Sequence, residues 1–219
     1  MQNNPFEKLT FLSEAKKNKL QEYASLLREE NSKINIISRK DMDFLEYRHV
    51  AFCASIGAFF TPENSAKIAD VGTGGGLPGL VMAILWENVQ FTLLDGVGKK
   101  IASVKRMAEA LKLENVVAKQ ARIEEQKETF DYITGRSVCS LPEFIGFTHK
   151  AIARGKNGSI ENGIVYFKGG ELEEELKQRN LLPSKIMKLD EFFADENFLG
   201  KSIVHIRQSV IFDFYNRRK

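Results

Sequence analysis

Cysteine and histidine are scarce in this chain. Two cysteines, Cys53 and Cys139, among 219 residues cannot build a disulfide framework or a four-ligand zinc site. Three histidines, His49, His149 and His205, are too scattered for a His-rich metal centre, so no metal is expected. No stretch approaches the roughly 18 apolar residues that a membrane span needs, and the opening MQNNPFEKLTFLSEAKKNK lacks the apolar core of a signal peptide. Internal repeats and Pro- or Ser-rich linkers are missing too. These absences predict a reducing, cytoplasmic setting without a membrane partner. A surplus of one charge sign is also lacking: 32 Lys and Arg against 29 Asp and Glu leave a formal net charge of +3. That permits a nucleic-acid partner without requiring one. What is present is a globular mixture, 43% hydrophobic and 28% charged, which excludes wholesale disorder. The length suits one medium domain with an attached element.

The chain divides by pattern into a helical arm, residues 1–63, and an α/β region, residues 64–219. In the arm, Ser13 can cap a helix whose Leu20, Tyr23, Ala24 and Leu27 form one apolar stripe. A second helix is expected from Asp41, with Leu45, His49, Phe52, Ile56 and Phe59 on one side. Beyond it, short apolar strands alternate with helical segments. Strands are expected at Lys67–Val71, Val89–Asp95, Val116–Ala121, Phe130–Thr134 and Ile164–Lys168. The intervening helices are placed at Leu80–Trp86, Lys99–Leu113, around Pro142–Ala153, and at Glu171–Gln178. This alternation predicts a doubly wound parallel sheet with helices on both faces. Ser202–Gln208 and Val210–Tyr215 read as two closing strands. Too little chain separates them for a crossover, so they should pair antiparallel at the edge. Five parallel strands with an antiparallel end outline a class I, Rossmann-like methyltransferase sheet.

The most specific feature is Asp70-Val71-Gly72-Thr73-Gly74-Gly75-Gly76-Leu77-Pro78-Gly79, between the first strand and its helix. Glycines serve where backbone must turn tightly and approach a ligand. Read from Gly74, the loop matches the dinucleotide fingerprint; read from Asp70, it matches the acid-first pattern of S-adenosylmethionine binders. A pyrophosphate at the helix N-terminus would be opposed by the acid. A sulfonium and an ammonium would be favoured by it. Asp95, ending the second strand, can accept ribose hydroxyls of either nucleoside. Ile123 and Glu124, after the third strand, could hold an adenine, although Glu124-Glu125 could equally begin a solvated helix.

The fourth strand reports on the methyl acceptor. It ends Thr134-Gly135-Arg136-Ser137, without the Asn/Asp-Pro-Pro-aromatic motif used for exocyclic amines. Cys139 lacks the neighbours of a nucleophile and reads as a packing residue. An acceptor such as guanine N7 needs neither device, because its lone pair carries no proton to remove. Arg136 would then orient a phosphate, O6 or the cofactor carboxylate. Arg39, Lys40 and Arg48, with the tail Arg217-Arg218-Lys219, offer scattered cations. Phe44, Tyr47 and Phe52 could stack RNA but at helical spacing read as core, and His49 on that face reads as an interior histidine.

Several segments occur together in order: Asn35-Ile36, Arg48-His49, the Asp70–Gly79 loop, Leu93-Leu94-Asp95 with Gly98-Lys99-Lys100, Leu113-Glu114-Asn115-Val116, Arg122–Glu125, Gly135-Arg136-Ser137 and Lys168-Gly169. From about Asn35 onward the chain resembles the glucose-inhibited division protein B family of 16S ribosomal RNA guanine-N7 methyltransferases. The resemblance implies S-adenosylmethionine as methyl donor and 16S rRNA or the small ribosomal subunit as partner; a monomer is expected, although the sequence itself does not give the oligomeric state. It places Gly72, Leu77, Ile123, Glu124 and Arg136 at the cofactor, beside Asp70, Gly74 and Asp95. It places His49, Arg136 and Lys168 at the RNA pocket. Members usually carry Pro where this chain has Gly75, which is expected to loosen the loop, and Ser-Arg-Ala where it has Gly135-Arg136-Ser137. A small-molecule methyltransferase, a non-catalytic RNA-binding module and a nicotinamide oxidoreductase remain the competing readings.

Overall fold

A computed structural model of the chain describes residues 4–170 and 172–216; Glu171 and the basic tail Arg217-Arg218-Lys219 lie outside the described residues. Helix α1 (Glu14–Lys33) starts where expected, with the Ser13 Oγ accepting the Lys16 N–H at 3.4 Å. Its stripe of Leu20, Tyr23, Ala24 and Leu27 is fully buried. The second arm segment begins at α2 (Arg39–Met42), two residues ahead of Asp41, and does not continue as one α-helix. A π-helical stretch, Glu46–Ala51, leads into α3 (Phe52–Ala54) and α4 (Ile56–Phe59). Leu45, Phe52, Ile56 and Phe59 are nonetheless buried together. π-Helical turns are frequent at functional sites; this one carries His49.

The sheet elements follow as β1 (Lys67–Val71), α5 (Gly79–Leu85), β2 (Gln90–Asp95), α6 (Gly98–Ala110), β3 (Val116–Gln120), β4 (Tyr132–Arg136), α7 (Leu141–Thr148) and β5 (Gly163–Gly169). Then come α8 (Leu172–Gln178), β6 (Lys185–Lys188), α9 (Leu189–Phe193), β7 (Lys201–Arg207) and α10 (Gln208–Asn216). The strand order is β3-β2-β1-β4-β5-β7-β6. The first five strands are parallel, and β7 runs antiparallel to both β5 and β6. The expected α/β class and antiparallel end are therefore present. The order reverses between β1 and β4, and such switch points open a ligand crevice at the strands' carboxyl ends.

One strand was misplaced by the sequence pattern. Val210–Tyr215 lies within α10, where Ile211 is buried in the core and Val210 and Phe214, four residues apart, pack against the same cluster. The antiparallel edge partner of β7 is β6 instead, four residues flanked by lysines. Alternation along β5 splits the core: Phe167 joins the cluster beneath the arm, and Tyr166 joins the cluster beneath α7 and α8. No helix among the described residues is long and apolar enough to cross a membrane.

Candidate active site

The glycine loop is held from below by two carboxylates. Asp70 is completely buried; its Oδ2 accepts the Gly79 N–H at 2.8 Å and its Oδ1 accepts from Thr134 Oγ1 at 3.2 Å. Gly79 is the first residue of α5, so this carboxylate occupies the helix N-terminus where a pyrophosphate would sit. Asp70 thus disfavours a dinucleotide from inside the fold rather than by touching a cation. Burial pushes its carboxyl up to about 6, against the pull of those hydrogen bonds. Asp95 ties the other side: Oδ2 accepts the Gly74 N–H at 3.0 Å and Oδ1 the Val97 N–H at 2.9 Å.

The glycines fit a cofactor cradle. Gly72, Gly74 and Gly76 all have positive φ, at +72°, +58° and +92°. A Cβ on Gly72 would lie 2.8 Å from Val138, whereas one on Gly74 would meet nothing nearer than the Gly72 carbonyl at 3.9 Å. Gly96, next to Asp95, also faces open space. Bare backbone therefore faces open space at Gly74, which bonds Asp95, and at Gly96 beside it. Leu77 and Ile123 are buried, each in a different one of the two core clusters, and Glu124 is exposed on a short 3-10 turn, Ile123–Glu125.

Gly75 is not the source of slack that the sequence suggested. Leu27 and Ile36 occupy the space a Cβ would need, at 2.7 and 2.9 Å, and the buried Tyr23 hydroxyl donates to the Gly75 carbonyl at 2.9 Å. The arm closes on the loop here. At Gly135 a Cβ would lie 2.5 Å from the Phe144 ring, so the glycine admits that aromatic onto β4.

At the end of β4, Arg136 Nη1 lies 2.8 Å from His49 Nδ1. Arginine has no acceptor, so Nδ1 must accept and the neutral ring carries its proton on Nε2. Burial, with the Arg136 charge next, holds this imidazole down to about 3. Among the described residues, neither His49 Nε2 nor Arg136 Nε has a partner, and both atoms are shielded from solvent. Cys139 is a packing residue: burial raises its thiol to about 11, and Tyr166 bonds its backbone.

Against this geometry, the model of the GidB family, rRNA small subunit methyltransferase G, matches residues 16–195. The chain belongs to this family. Ribosomal RNA small subunit methyltransferase G of Flavobacterium psychrophilum is 42% identical over 182 residues, covering 83% of this chain and 86% of that protein. The protein of the same name from Bacteroides fragilis is 38% identical over 176 residues, 80% of this chain and 85% of that one. Among solved structures, a point mutant of MtNAS in complex with S-adenosylmethionine shares the fold. Its TM-score is 0.58 at 10% identity, with 87% of this chain and 74% of that chain covered.

In this GidB chain the three expected RNA-pocket residues do not all meet. His49 and Arg136 are paired, but Lys168 turns to the opposite face of the sheet, where its ammonium pairs with Glu175 of α8. Glu175 also accepts the Leu141 N–H at the start of α7. Sequence reasoning missed Tyr23 and Lys201. Tyr23 acts 52 residues away from its position in the chain, and Lys201 enters through β7 opposite Gly169. Among the described residues, no group of three or more His, Cys, Asp or Glu is placed to hold a metal ion.

Proposed function

We propose that this chain transfers a methyl group from S-adenosylmethionine to N7 of one guanine in 16S rRNA. When bound, S-adenosylmethionine supplies a methyl carbon on a sulfonium sulfur, which an unprotonated ring nitrogen can take with no proton to remove. Gly74 and Gly96 let the cofactor approach bare backbone, Gly72 provides the turn that shapes the loop, and Leu77 and Ile123 would serve as apolar walls. Asp95 retains free lone pairs for ribose hydroxyls after binding the Gly74 and Val97 amides. An imidazole held near 3 is a feeble base and a thiol held near 11 is a poor nucleophile at neutral pH, which suits an acceptor that has no proton to remove. Positioning then supplies the catalysis.

The observation that carries guanine is the pair of shielded, unpartnered donors, His49 Nε2–H and Arg136 Nε–H. Beside N7, guanine presents O6, an acceptor, whereas adenine presents an amino donor. A donor pair left without partners in the free protein suits the first and repels the second. Tritium transfer from labelled cofactor, followed by digestion of the rRNA, tests this reading. Label should appear as N7-methylguanosine in 16S rRNA, and rRNA from cells lacking the gene should have lost that nucleotide. Label on adenosine, on a small molecule only, or nowhere would overturn it.

A further inference from the structure

Beside the Arg136–His49 pair, cations outnumber anions: Arg48 and Lys201 join Arg136, with the Asp41 carboxylate set against Arg48. Lys201, at the start of β7, lies in register with Gly169, and its ammonium stands 5.5 Å from the Phe52 ring and 5.7 Å from the Phe198 ring. It also approaches the Arg48 carbonyl at 3.4 Å. The Arg48 guanidinium stacks 3.9 Å over Phe44. Among the described residues neither Arg136 nor Lys201 makes a salt bridge, and Asp41 lies 3.7 Å from Arg48 while bonded to Ser38. Burial, with Arg48 and Arg136 adding repulsion, pushes the Lys201 ammonium down to about 8. Three half-buried or exposed cations around one neutral histidine repel one another, and an anionic ligand would relieve that repulsion.

We propose that Lys201 and Arg48 form a phosphate site for the RNA strand, taking a backbone phosphodiester next to the guanine that Arg136 and His49 receive. This rests on the RNA-methylation reading above. The placement supports it: both cations flank the pair with the unpartnered donors, whereas the Lys168 ammonium is committed to Glu175 across the sheet. The Phe52 and Phe198 rings stand within cation–π reach of the Lys201 ammonium and help to fix its position before RNA binds.

The test compares the wild type with Lys201→Met, which keeps the apolar stem, and with Lys201→Arg, which restores the charge. RNA affinity and methylation are measured with 16S rRNA fragments across a salt series, and S-adenosylhomocysteine affinity by calorimetry. In Lys201→Met, RNA affinity should fall about tenfold and the salt slope should shrink by about 0.7, one single-strand phosphate contact. Affinity for S-adenosylhomocysteine should stay within twofold, which also shows that the variant is folded. Lys201→Arg should recover the wild-type slope. An unchanged slope in Lys201→Met would overturn the site. So would a loss confined to S-adenosylhomocysteine affinity, which would assign the cations to the cofactor carboxylate. Failure of the broader reading would look different: the wild-type protein itself would not methylate rRNA.

Discussion

At Gly72 two requirements meet on one residue. Its φ of +72° lies in the left-handed region, and its missing Cβ is replaced by the Val138 side chain at 2.8 Å. Gly74 shares the positive φ but faces open space. The two positions should therefore separate stability from ligand binding. Gly72→Val should cost about 2–3 kcal/mol of stability through strain and the clash, and reduce S-adenosylhomocysteine affinity at least tenfold. Gly74→Ala should cost only about 1 kcal/mol, with most of its effect on affinity. Urea denaturation and calorimetry on both variants check the contrast; equal losses of stability would contradict it. Asp70 shows the limit of reading single residues. Its sign of charge was legible in the sequence and still disfavours a dinucleotide, but its bonds to Gly79 and Thr134 depend on a turn and a neighbouring strand.

Between elements, the junction of α1 with the glycine loop is the tightest seam near the site. Tyr23, Leu27 and Ile36 all press on Gly75, through one hydrogen bond and two close approaches. Tyr23→Phe should cost about 1–2 kcal/mol, because it leaves a buried carbonyl without that donor, and should weaken S-adenosylhomocysteine binding by loosening the loop. Gly75→Ala should destabilise the wild type by about 1 kcal/mol but much less in a Leu27→Val background, a coupling that a double-mutant cycle measures. Additive effects would mean that the two side chains do not compete for space. None of this seam was visible beforehand, although the α1 stripe itself was, because periodicity gives the buried face and not its partner. The same limit explains α10. Val210, Ile211 and Phe214 favour strands by residue type, and only the core they meet selects the helix. It also explains why the sequence points to Lys168 for the RNA pocket and passes over Lys201. The choice depends on which face of the sheet each residue presents, and the sequence pattern pairs β7 with Val210–Tyr215 instead of β6.

For the whole molecule, the buried titratable groups fix how stability depends on pH. Burial holds His49 at about 3 and His205 at about 4, both below the ordinary histidine value, and lifts Asp70 to about 6. Between about pH 5 and 6 the unfolded chain therefore carries two protons, on the histidines, that the folded chain lacks. The folded chain carries one, on Asp70, that the unfolded chain lacks. The depressed histidines stabilise the fold above their unfolded value and lose that contribution as pH falls. Asp70 does the reverse, losing its contribution as pH rises toward 6. The net difference is one proton in favour of the unfolded state, so for these three groups stability should rise with pH at about 1.4 kcal/mol per unit. His205→Gln removes one histidine from the balance and should make the profile nearly flat in this window. Asp70→Asn removes the opposing carboxyl and should about double the slope. Urea titrations of the wild type and both variants at pH 5.0, 5.5 and 6.0 read these slopes directly, whatever each substitution does to the absolute stability. A wild-type profile that falls with rising pH would mean that Asp70 outweighs both histidines, and an unchanged slope in His205→Gln would mean that this imidazole is protonated in the folded protein.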